Sequence, residues 1–452
     1  MKKYFFWLAV VVLSGAMLSC SSSEEESVDL GEAKTVVNML SEAQPIQLTE
    51  AQRVFANDNN QFTLNFLKTV NDIDKSGKSF IYSPLSITYV LGMVNDAAIG
   101  ETEKELEQTL GFHEGGIQAV NDYCKKLIEG LPKVDDKVTL NIANAIFVNK
   151  DYTLKQQFQQ DTQTYYDATA ESLNFSSPQT LGHINSWCNE KTNGMIPTIL
   201  DEVNPDMMSY LLNAIYFKAD WASKFDQKNT KEEIFHPEYE YLMDIISPIK
   251  LPMMHQNVLI YYGKNDIYSA VKIPYGNGYW NMTVLLPEEG KTTNDIINLL
   301  TENGGNVNYD SWSLPSKDPF DYSAMSSWEV DLKLPRFETS SDTDELYIND
   351  GLAGLMQKMG IKLAFDSYFA QIPNMCDVPV YINMMRQKAK IKVNEEGSEA
   401  AAVTVAGMME MTAISQPIEY PKATFHANRP FVYVIREASS GVILFVGKFT
   451  GV

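Results

Sequence analysis

The spacing of apolar residues predicts helices in the first part of the chain. Along one segment, apolar residues recur at near-helical spacing: Phe55, Phe62, Phe66 and Val70. This spacing indicates an amphipathic helix. Ser83 followed by Pro84 predicts the start of a second helix, because serine caps free amides and proline suits the first helical turn. Thr102 with Glu105 predicts a capping box for a third helix.

Strand patterns dominate the rest of the chain. Val138, Leu140 and Ile142 alternate with polar residues. Residues 210–217 are almost continuously apolar, as in a strand that is buried on both faces. Further strands are predicted at 267–273, 280–287, 329–335, 381–393, 431–436 and 442–449. Helices first and strands later predict an α+β fold, and no repeat or linker divides residues 49–452.

The N-terminus is typical of an exported lipoprotein. Lys2 and Lys3 precede an apolar stretch, residues 4–13, that is too short to span a bilayer stably. The next residues, Met17-Leu18-Ser19-Cys20, resemble a bacterial lipobox, in which the cysteine sulfur takes the lipid. The alternative is an ordinary cleaved signal with an incidental cysteine. We expect a signal peptide over residues 1–19, lipidation at Cys20 and a flexible acidic tether over residues 20–48.

A polar and acidic run follows Cys20. Ser21-Ser22-Ser23 and Glu24-Glu25-Glu26 resemble the acidic export tags of surface lipoproteins in Bacteroidetes-type bacteria. We therefore expect an exported protein that is lipid-anchored to the outer membrane or cell surface and faces the periplasm or the exterior.

Composition and charge exclude several classes of function. Lys and Arg number 36 and Asp and Glu number 58, so the formal net charge is −22. This balance argues against nucleic-acid binding, which needs a basic face to replace phosphate counterions. A hydrophobic fraction of 44% excludes a disordered protein. The four cysteines are too few for a disulfide framework.

The sequence also lacks the common catalytic and metal-binding motifs. It contains no GxSxG, HExxH, P-loop or GxGxxG, and none of its five histidines has ligand spacing. Residues 72–77 imitate the start of a calcium loop, but Ser83 stands where a bidentate glutamate is needed. We interpret these residues as a turn before a short strand at 80–81. The expectation is a protein that is not an enzyme and that uses no metal or other cofactor.

One segment near the C-terminus has an unusual pattern. It follows a predicted strand and reads Asn-Glu-Glu-Gly-Ser-Glu-Ala-Ala-Ala-Val-Thr-Val-Ala-Gly over residues 394–407. From residue 398 onward, every second side chain is small: Ser398, Ala400, Ala402, Thr404 and Ala406. Such a segment could lie in solvent or fit between two existing strands. A helix, which the propensity of residues 399–402 favours, and an ordinary flexible loop are the alternatives.

Residues 394–402 resemble the hinge of the serpin family. Further strings match that family in the same order along residues 49–452: Phe80-Ile-Tyr-Ser-Pro-Leu-Ser-Ile87, Leu211-Leu-Asn-Ala-Ile-Tyr-Phe-Lys218 with Trp221, Leu251-Pro-Met-Met254, Leu285-Leu-Pro287, Leu334-Pro-Arg-Phe337, Ala427-Asn-Arg-Pro-Phe431 and Ile443-Leu-Phe-Val-Gly-Lys448. The chain is therefore identified as a member of the family. The resemblance implies the serpin fold, with a large, mostly antiparallel central sheet, a second barrel-like sheet region, helices and an exposed reactive loop over about 394–424.

The resemblance implies a suicide inhibitor of serine proteases. In that family a protease attacks the exposed loop, forms an acyl-enzyme, and is trapped when the cut loop inserts as a new strand in the central sheet. The hinge residues of the family pattern fall on Glu395, Glu396, Gly397, Ser398, Glu399, Ala400, Ala401, Ala402 and Thr404. Its scissile bond falls at Met411–Thr412, with Met409 and Glu410 as alternates because the loop is longer than usual.

The resemblance also assigns roles in the central sheet. Asn213 and Trp221 would frame the mouth of the sheet, and Ser83 and Ser86 would lie where the central strands part. Gln387 stands where many serpins have a histidine; because an amide both donates and accepts hydrogen bonds, the network around it can survive without a group that titrates.

Methionine before the cut suits proteases with apolar primary pockets. Elastase-like, chymotrypsin-like and subtilisin-like enzymes, from a host or from other microbes, are the expected partners, and papain-like cysteine proteases are a further class. We expect the inhibitor to be a monomer. A non-inhibitory serpin that acts as a binding protein is the main alternative; its hinge would usually carry bulky, charged or proline residues, and the small-residue face here has none. A more distant alternative is a surface lipoprotein that binds or cleaves polysaccharide.

Overall fold

The computed structural model describes residues 44–113, 115–237, 248–302, 325–398 and 419–452. All of them fall in one compact unit, built from two β-sheets with helices around them. The helices are α1 (Glu50–Ile73), α2 (Pro84–Ala97), α3 (Gly100–Leu110), α4 (Gly116–Gly130), α5 (Gln156–Tyr166), α6 (Gln179–Lys191), α7 (Thr293–Thr301) and α8 (Gly351–Met359).

The starts of the first three helices differ in their capping. The α1 helix has a capping box, in which the Thr49 side chain accepts from the Gln52 amide and the Gln52 side chain accepts from the Thr49 amide. At α2, Pro84 occupies the first turn as predicted, but Ser83 makes no capping hydrogen bond with its side chain. The capping box predicted for α3 is wrong, because that helix already begins at Gly100.

Thr102 and Glu105 instead tie α3 to the segment after α8. Thr102 Oγ1 accepts a hydrogen bond from the amide of Gln371 at 3.0 Å. The Glu105 carboxylate accepts from the amides of Lys362 and Leu363, both at 2.7 Å. The two polar side chains therefore join distant segments rather than closing their own helix end.

The six-stranded sheet contains the long strands of the chain's middle. Its strands are β2 (Val138–Asn149), β3 (Thr169–Leu173), β4 (Ser209–Asp220), β10 (Phe337–Asp342), β11 (Met385–Val393) and β12 (Gly397–Ser398). They lie in the order β10-β11-β12-β4-β2-β3. Most of β4 is buried, as its apolar sequence predicts.

The nine-stranded sheet takes most of the remaining strands. They are β1 (Phe80–Tyr82), β5 (Lys231–Phe235), β6 (Ile249–Lys264), β7 (Tyr268–Pro274), β8 (Trp280–Pro287), β9 (Ser326–Pro335), β13 (Lys422–His426), β14 (Phe431–Glu437) and β15 (Ile443–Phe449). The path runs β1-β15-β14-β8-β7-β6-β9-β13, and β5 pairs with β6. The predicted strands all form, although the one predicted at 381–393 begins only at Met385, and the α+β fold is confirmed.

The core lies between the two sheets, around α2. Every residue of α2 except Asp96 is buried, and the helix contacts β4 and β2 of one sheet and β15 of the other. On the other face of the six-stranded sheet, Ile184 and Cys188 of α6 join a smaller apolar cluster with Phe147 and Leu212. The sheet is therefore covered on both faces, and a new strand can enter it only along its own plane.

The folded part begins slightly earlier than the sequence suggests. Ile46 and Leu48, which were assigned to the acidic tether, are buried. The Ile46 amide donates to Ser439 Oγ at 2.8 Å, so the chain is already fixed to the domain three residues before the Thr49 cap.

Candidate functional site

The strands β4 and β11 lie side by side but pair directly over only part of their length. Their parallel register joins Met385–Ala389 to Leu211–Ile215. Towards the other end, the short strand β12 lies between them and is antiparallel to both, with Ser398 opposite Ala219 of β4 and Val393 of β11. We call this boundary between β4 and β11 the hinge seam. The two strands are parted at the end where the chain leaves β11, and we call this end the mouth of the hinge seam.

Gly397 lies against the backbone of β4. A Cβ atom at this position would stand 2.0 Å from the carbonyl oxygen of Ala219, a distance that no side chain can adopt. The close approach therefore requires glycine, which lets β12 enter the hinge seam without displacing β4.

Ser398 is fully buried at the mouth of the hinge seam. Its hydroxyl lies 2.7 Å from the hydroxyl of Tyr275. The Tyr275 ring stacks on Trp221, with ring centroids 4.3 Å apart and an interplanar angle of 8°. Burial raises the pKa of Tyr275 well above its usual range, so the phenol stays neutral and can share a hydrogen bond with Ser398.

Trp221 holds the backbone that leads into β12. Its indole Nε1 donates to the carbonyl of Asn394 at 2.8 Å, and its amide donates to the carbonyl of Glu396 at 2.8 Å. The Asn394 side chain in turn accepts from the amide of Glu396 at 3.0 Å. The turn between β11 and β12 is thus fixed from both sides.

Two carboxylates of the hinge make ion pairs with the body of the protein. Glu395, whose side chain is 3% exposed, pairs with Arg336 and accepts from Thr230 Oγ1 at 2.7 Å. Burial alone would raise the pKa of Glu395, but the hydrogen bonds from Arg336 and Thr230 outweigh it and hold that pKa below its usual value. Glu395 is therefore a charged, buried attachment of the hinge.

Glu396 is attached to β4 through a lysine. Lys224 Nζ lies 2.7 Å from Glu396 Oε2 and 2.9 Å from Asp220 Oδ2. Burial would lower the pKa of Lys224, but its hydrogen bonds to these two carboxylates raise the pKa above its usual value. The lysine therefore links β4 to the hinge.

A buried polar cluster lies further along the hinge seam. Gln387 Nε2 of β11 lies within hydrogen-bonding distance of three acceptors, the carbonyl of Ser83 at 2.9 Å, Ser86 Oγ at 3.2 Å and Asn213 Oδ1 at 2.9 Å. Gln387 Oε1 accepts from the amide of Ser83 at 3.0 Å. Asn213 Nδ2 donates to Asn144 Oδ1 at 2.8 Å. The cluster joins α2 to β11, β4 and β2.

One hydroxyl of this cluster lacks a partner among the described residues. Ser83 Oγ is completely buried and makes no hydrogen bond there. An unpaired buried hydroxyl costs free energy, about 1–3 kcal/mol on mutational scales. The cluster is therefore incomplete with respect to the described part of the chain.

The structure brings the predicted residues of the sheet into two groups. Trp221 lies at the mouth of the hinge seam with residues 395–398. Asn213, which the sequence assigned to the mouth, lies in the buried polar cluster with Ser83, Ser86 and Gln387. The remaining predicted sites lie outside the described residues: Cys20, Glu399, Ala400, Ala401, Ala402, Thr404, Met409, Glu410, Met411 and Thr412.

Comparison with known proteins decides the family. The family model described as serpin (serine protease inhibitor) matches residues 57–451. The chain belongs to the serpin family. Serpin B6 of Bos taurus is 30% identical over 400 residues, which cover 86% of this chain and 97% of that protein.

Solved structures agree with this assignment. The native state of tengpin, a thermophilic serpin, matches this serpin with a TM-score of 0.73 and 25% identity, over 93% of this chain and 100% of that one. Human thyroxine-binding globulin, solved in complex with thyroxine, matches with a TM-score of 0.71 and 25% identity over 88% of this chain and 98% of that one. The serpin fold expected from the sequence is confirmed.

Several residues that hold the hinge of this serpin were not predicted from its sequence. Tyr275, Arg336, Lys224 and Thr230 each contact a residue of 395–398 but are distant from it in sequence. Arg336 stands in the matched string Leu334-Pro-Arg-Phe337, but the string itself does not reveal a contact with the hinge. The negative charges of Glu395 and Glu396 predict cations nearby, but the sequence alone does not identify Arg336 and Lys224 as those cations.

Among the described residues, no group of His, Cys, Asp and Glu could hold a metal ion, and no helix is long and apolar enough to cross a membrane.

Proposed function

We propose that this serpin is a suicide inhibitor of serine endopeptidases, acting by covalent trapping. The observation that carries the proposal is the position of β12. Gly397 and Ser398 already pair antiparallel with β4, and Ser398 also pairs with β11, at the end where the two strands are parted. A strand that begins there can grow along the hinge seam without any change in its register.

Continuing this register gives a specific arrangement of the inserted strand. Six residues beyond Ser398, Thr404 would stand opposite Asn213 of β4 and opposite Gln387 of β11. Residues directly opposite each other in an antiparallel pair point to the same face. Thr404 would therefore point towards α2, where Ser83 Oγ is buried without a partner among the described residues. Its hydroxyl supplies the partner that this cluster lacks.

Insertion is favourable because it adds a central strand. Residues 398–411 would span about 46 Å at about 3.3 Å per residue. Each ladder hydrogen bond contributes roughly 0.5–1.5 kcal/mol, so a strand with neighbours on both sides gains on the order of 10 kcal/mol. The small side chains at 398, 400, 402 and 404 fit the buried face without overpacking.

The chemistry of the first step belongs to the protease. Its catalytic serine attacks the carbonyl carbon of Met411, the amide bond to Thr412 breaks, and the new amino terminus at Thr412 leaves with the proton. The serine remains joined to Met411 as an ester. Insertion of the cut loop then moves the acylated protease to the opposite end of the sheet and distorts its active site before water hydrolyses the ester.

The residue before the cut defines the target class. Met411 suits apolar primary pockets, as in elastase-like, chymotrypsin-like or subtilisin-like enzymes, and papain-like cysteine proteases are a further class. Met409, Glu410 and Thr412 are alternative cleavage positions.

We further propose that the protein is exported, anchored through a lipid on Cys20 to the outer membrane or cell surface, and monomeric. In that position it would protect the cell envelope from host or microbial proteases.

A non-inhibitory binding protein is the second candidate. The similarity to human thyroxine-binding globulin, solved with thyroxine bound, favours it. The two candidates differ in what happens after cleavage, because only an inhibitor must insert its loop faster than the ester is hydrolysed.

The test is incubation of the full chain with elastase-like, chymotrypsin-like, subtilisin-like and trypsin-like proteases, followed by denaturing gels and intact mass. We expect a denaturant-resistant complex with the first three and release of a peptide that begins at Thr412. Thr404→Arg would place a charge on the buried face of the inserted strand, so we expect cleavage without a complex; Glu399→Lys, on the opposite face, is the matched control and should still trap. Clean cleavage of the unaltered chain with a fully active protease would contradict the proposal.

A further inference from the structure

The end of the six-stranded sheet opposite the mouth of the hinge seam can be defined by three strand ends. There β4 begins at Ser209, β11 begins at Met385, and β2 ends at Asn149, whose amide donates to the carbonyl of Met208 at 2.8 Å. The pair Val148 and Ser209 closes the β2–β4 register at this end. We call this end of the sheet the basal pole.

The segment between α8 and β11 is fixed to the basal pole. Shortly after the end of β2, Leu154 forms a β-bridge with Cys376, and the amide of Lys155 donates to the carbonyl of Met375 at 2.9 Å. The amide of Asn374 donates to the carbonyl of Ala97 at the end of α2, at 3.1 Å. Residues 374–376 of this segment are therefore tied to the residues that follow β2 and to the end of α2.

The same segment presents two adjacent aromatic side chains to solvent. Tyr368 is 90% exposed and Phe369 is 66% exposed. Their position is fixed, because Asp366 Oδ1 accepts from both of their amides, at 2.8 Å and 3.1 Å. We call these two residues the aromatic turn. Ile99, 46% exposed, lies close by, since its amide donates to the carbonyl of Gln371 at 2.9 Å.

The composition around the aromatic turn is that of a contact surface. Between Asp366 and Asp377 the sequence has no charged residue. Protein interfaces are enriched in Tyr and Phe and depleted of charge at their centre, whereas single scattered apolar residues are the ordinary state of a surface. A rigid turn that carries two neighbouring exposed aromatics costs little entropy when it binds a partner.

The register of the hinge seam identifies the partner. If insertion continues the pairing of Ser398 with Ala219, residue 408 stands opposite Ser209, and Met411 passes beyond the start of β4. The chain thus delivers whatever is bonded to Met411 to the basal pole. We propose that the aromatic turn is the surface that contacts the trapped protease there and slows the hydrolysis of its ester. This inference rests on the proposed function.

The proposed contact slows the hydrolysis of one bond, the ester between Met411 and the serine of the protease. Deacylation requires water to add to the Met411 carbonyl carbon while the protease serine Oγ takes back a proton and leaves, which frees active protease and a Met411 carboxylate. The protease can do this only if its active site regains its geometry. Contact between its surface and a rigid apolar turn opposes that movement, because the distorted protease would have to leave the turn and expose apolar surface again.

The test compares the full chain with Tyr368→Ala/Phe369→Ala and with the single variant Tyr368→Asp, whose side chain is too exposed to affect folding. Tyr261→Ala, at an aromatic residue 44% exposed on β6 of the other sheet, is the matched control. Each is reacted with the same chymotrypsin-like protease, and the association rate, the amount of covalent complex and the recovery of protease activity are followed over time.

We expect unchanged association rates and the same cleavage site in all four proteins. In both turn variants the covalent complex should decay about tenfold faster, an effect of the size that follows truncation of contact residues in an interface. Tyr261→Ala should decay like the unaltered chain. Equal decay rates in the turn variants would overturn the inference, and so would an effect of the turn on dimerisation or on binding to phosphatidylcholine vesicles with no effect on decay. Absence of any covalent complex with the unaltered chain would instead refute the proposed function itself.

Discussion

Gln387 shows how one side chain can join three parts of the molecule. Its amide oxygen accepts from the backbone of Ser83, and its amide nitrogen lies near acceptors on α2 and β4. The amide is fully buried, so each of these groups would otherwise lose its hydrogen bond to water without replacement. Unlike a histidine, it does this without a charge that depends on pH.

We therefore expect Gln387→Leu to lower the free energy of unfolding by about 2–4 kcal/mol, because several buried polar groups lose their partner. Gln387→His should keep much of the stability at pH 8 but lose it as pH falls through about 6.5, since the protonated imidazole would be buried. Denaturant unfolding at pH 5.5, 7 and 8 measures both effects. Parallel pH profiles for the histidine variant and the unaltered chain would contradict this role.

At the scale of elements, β12 is a strand of two residues held mainly by side chains. Tyr275 contacts Ser398 of β12 itself, and the residues before β12 are fixed by Trp221 and by the pairs Glu395–Arg336 and Glu396–Lys224. A strand this short has few ladder hydrogen bonds of its own. Its attachment should therefore depend on the charge of Glu395.

The sign of this dependence follows from the pKa of Glu395, which lies below its unfolded value of about 4.5. The group stabilises the folded state fully above that unfolded value, and its contribution is lost as pH falls through the folded pKa. We expect the stability difference between the unaltered chain and Glu395→Gln to be largest near pH 6 and to shrink below about pH 4. Thermal unfolding across this range measures it; a difference independent of pH would argue against a charged attachment.

The sequence predicts the elements of this protein better than their ends and junctions. Strands such as β4 and β14 are read from nearly continuous apolar runs because burial on both faces leaves that pattern. Strands β3, β5, β6, β10 and β13 were not predicted, since each of them is only partly buried. The start of α3 was misplaced because Thr102 and Glu105 bond to residues more than 250 positions away, which no local pattern reveals.

Some residues of the candidate site could be predicted from the sequence and others could not. The hinge sequence at residues 394–398 is local and could be recognised, and Gly397 proves necessary because β4 lies against it. The contacts of Tyr275 and Arg336 with the hinge could not be predicted, because they join residues that are 123 and 59 positions apart in the chain. Asn213 was assigned to the mouth of the sheet because the register between β4 and β11 is a property of the sheet and not of either strand.

At the scale of the whole molecule, the described form has no full strand between β4 and β11. The strands β4 and β11 pair directly over five residues each, and β12 occupies the mouth of the hinge seam with only two. Under the proposed mechanism, a form with a full strand between β4 and β11 would be more stable than the described one, and cleavage of the loop would allow that strand to insert.

The most direct test of this account is the thermal stability of the full chain before and after a single cut within residues 408–412, made by a protease that is then inactivated. If the loop inserts, the gain of on the order of 10 kcal/mol should raise the melting temperature by roughly 10 °C or more. Thr404→Arg, cut in the same way, should show a much smaller rise. An unchanged melting temperature after cleavage of the unaltered chain would contradict loop insertion and, with it, the inhibitory mechanism.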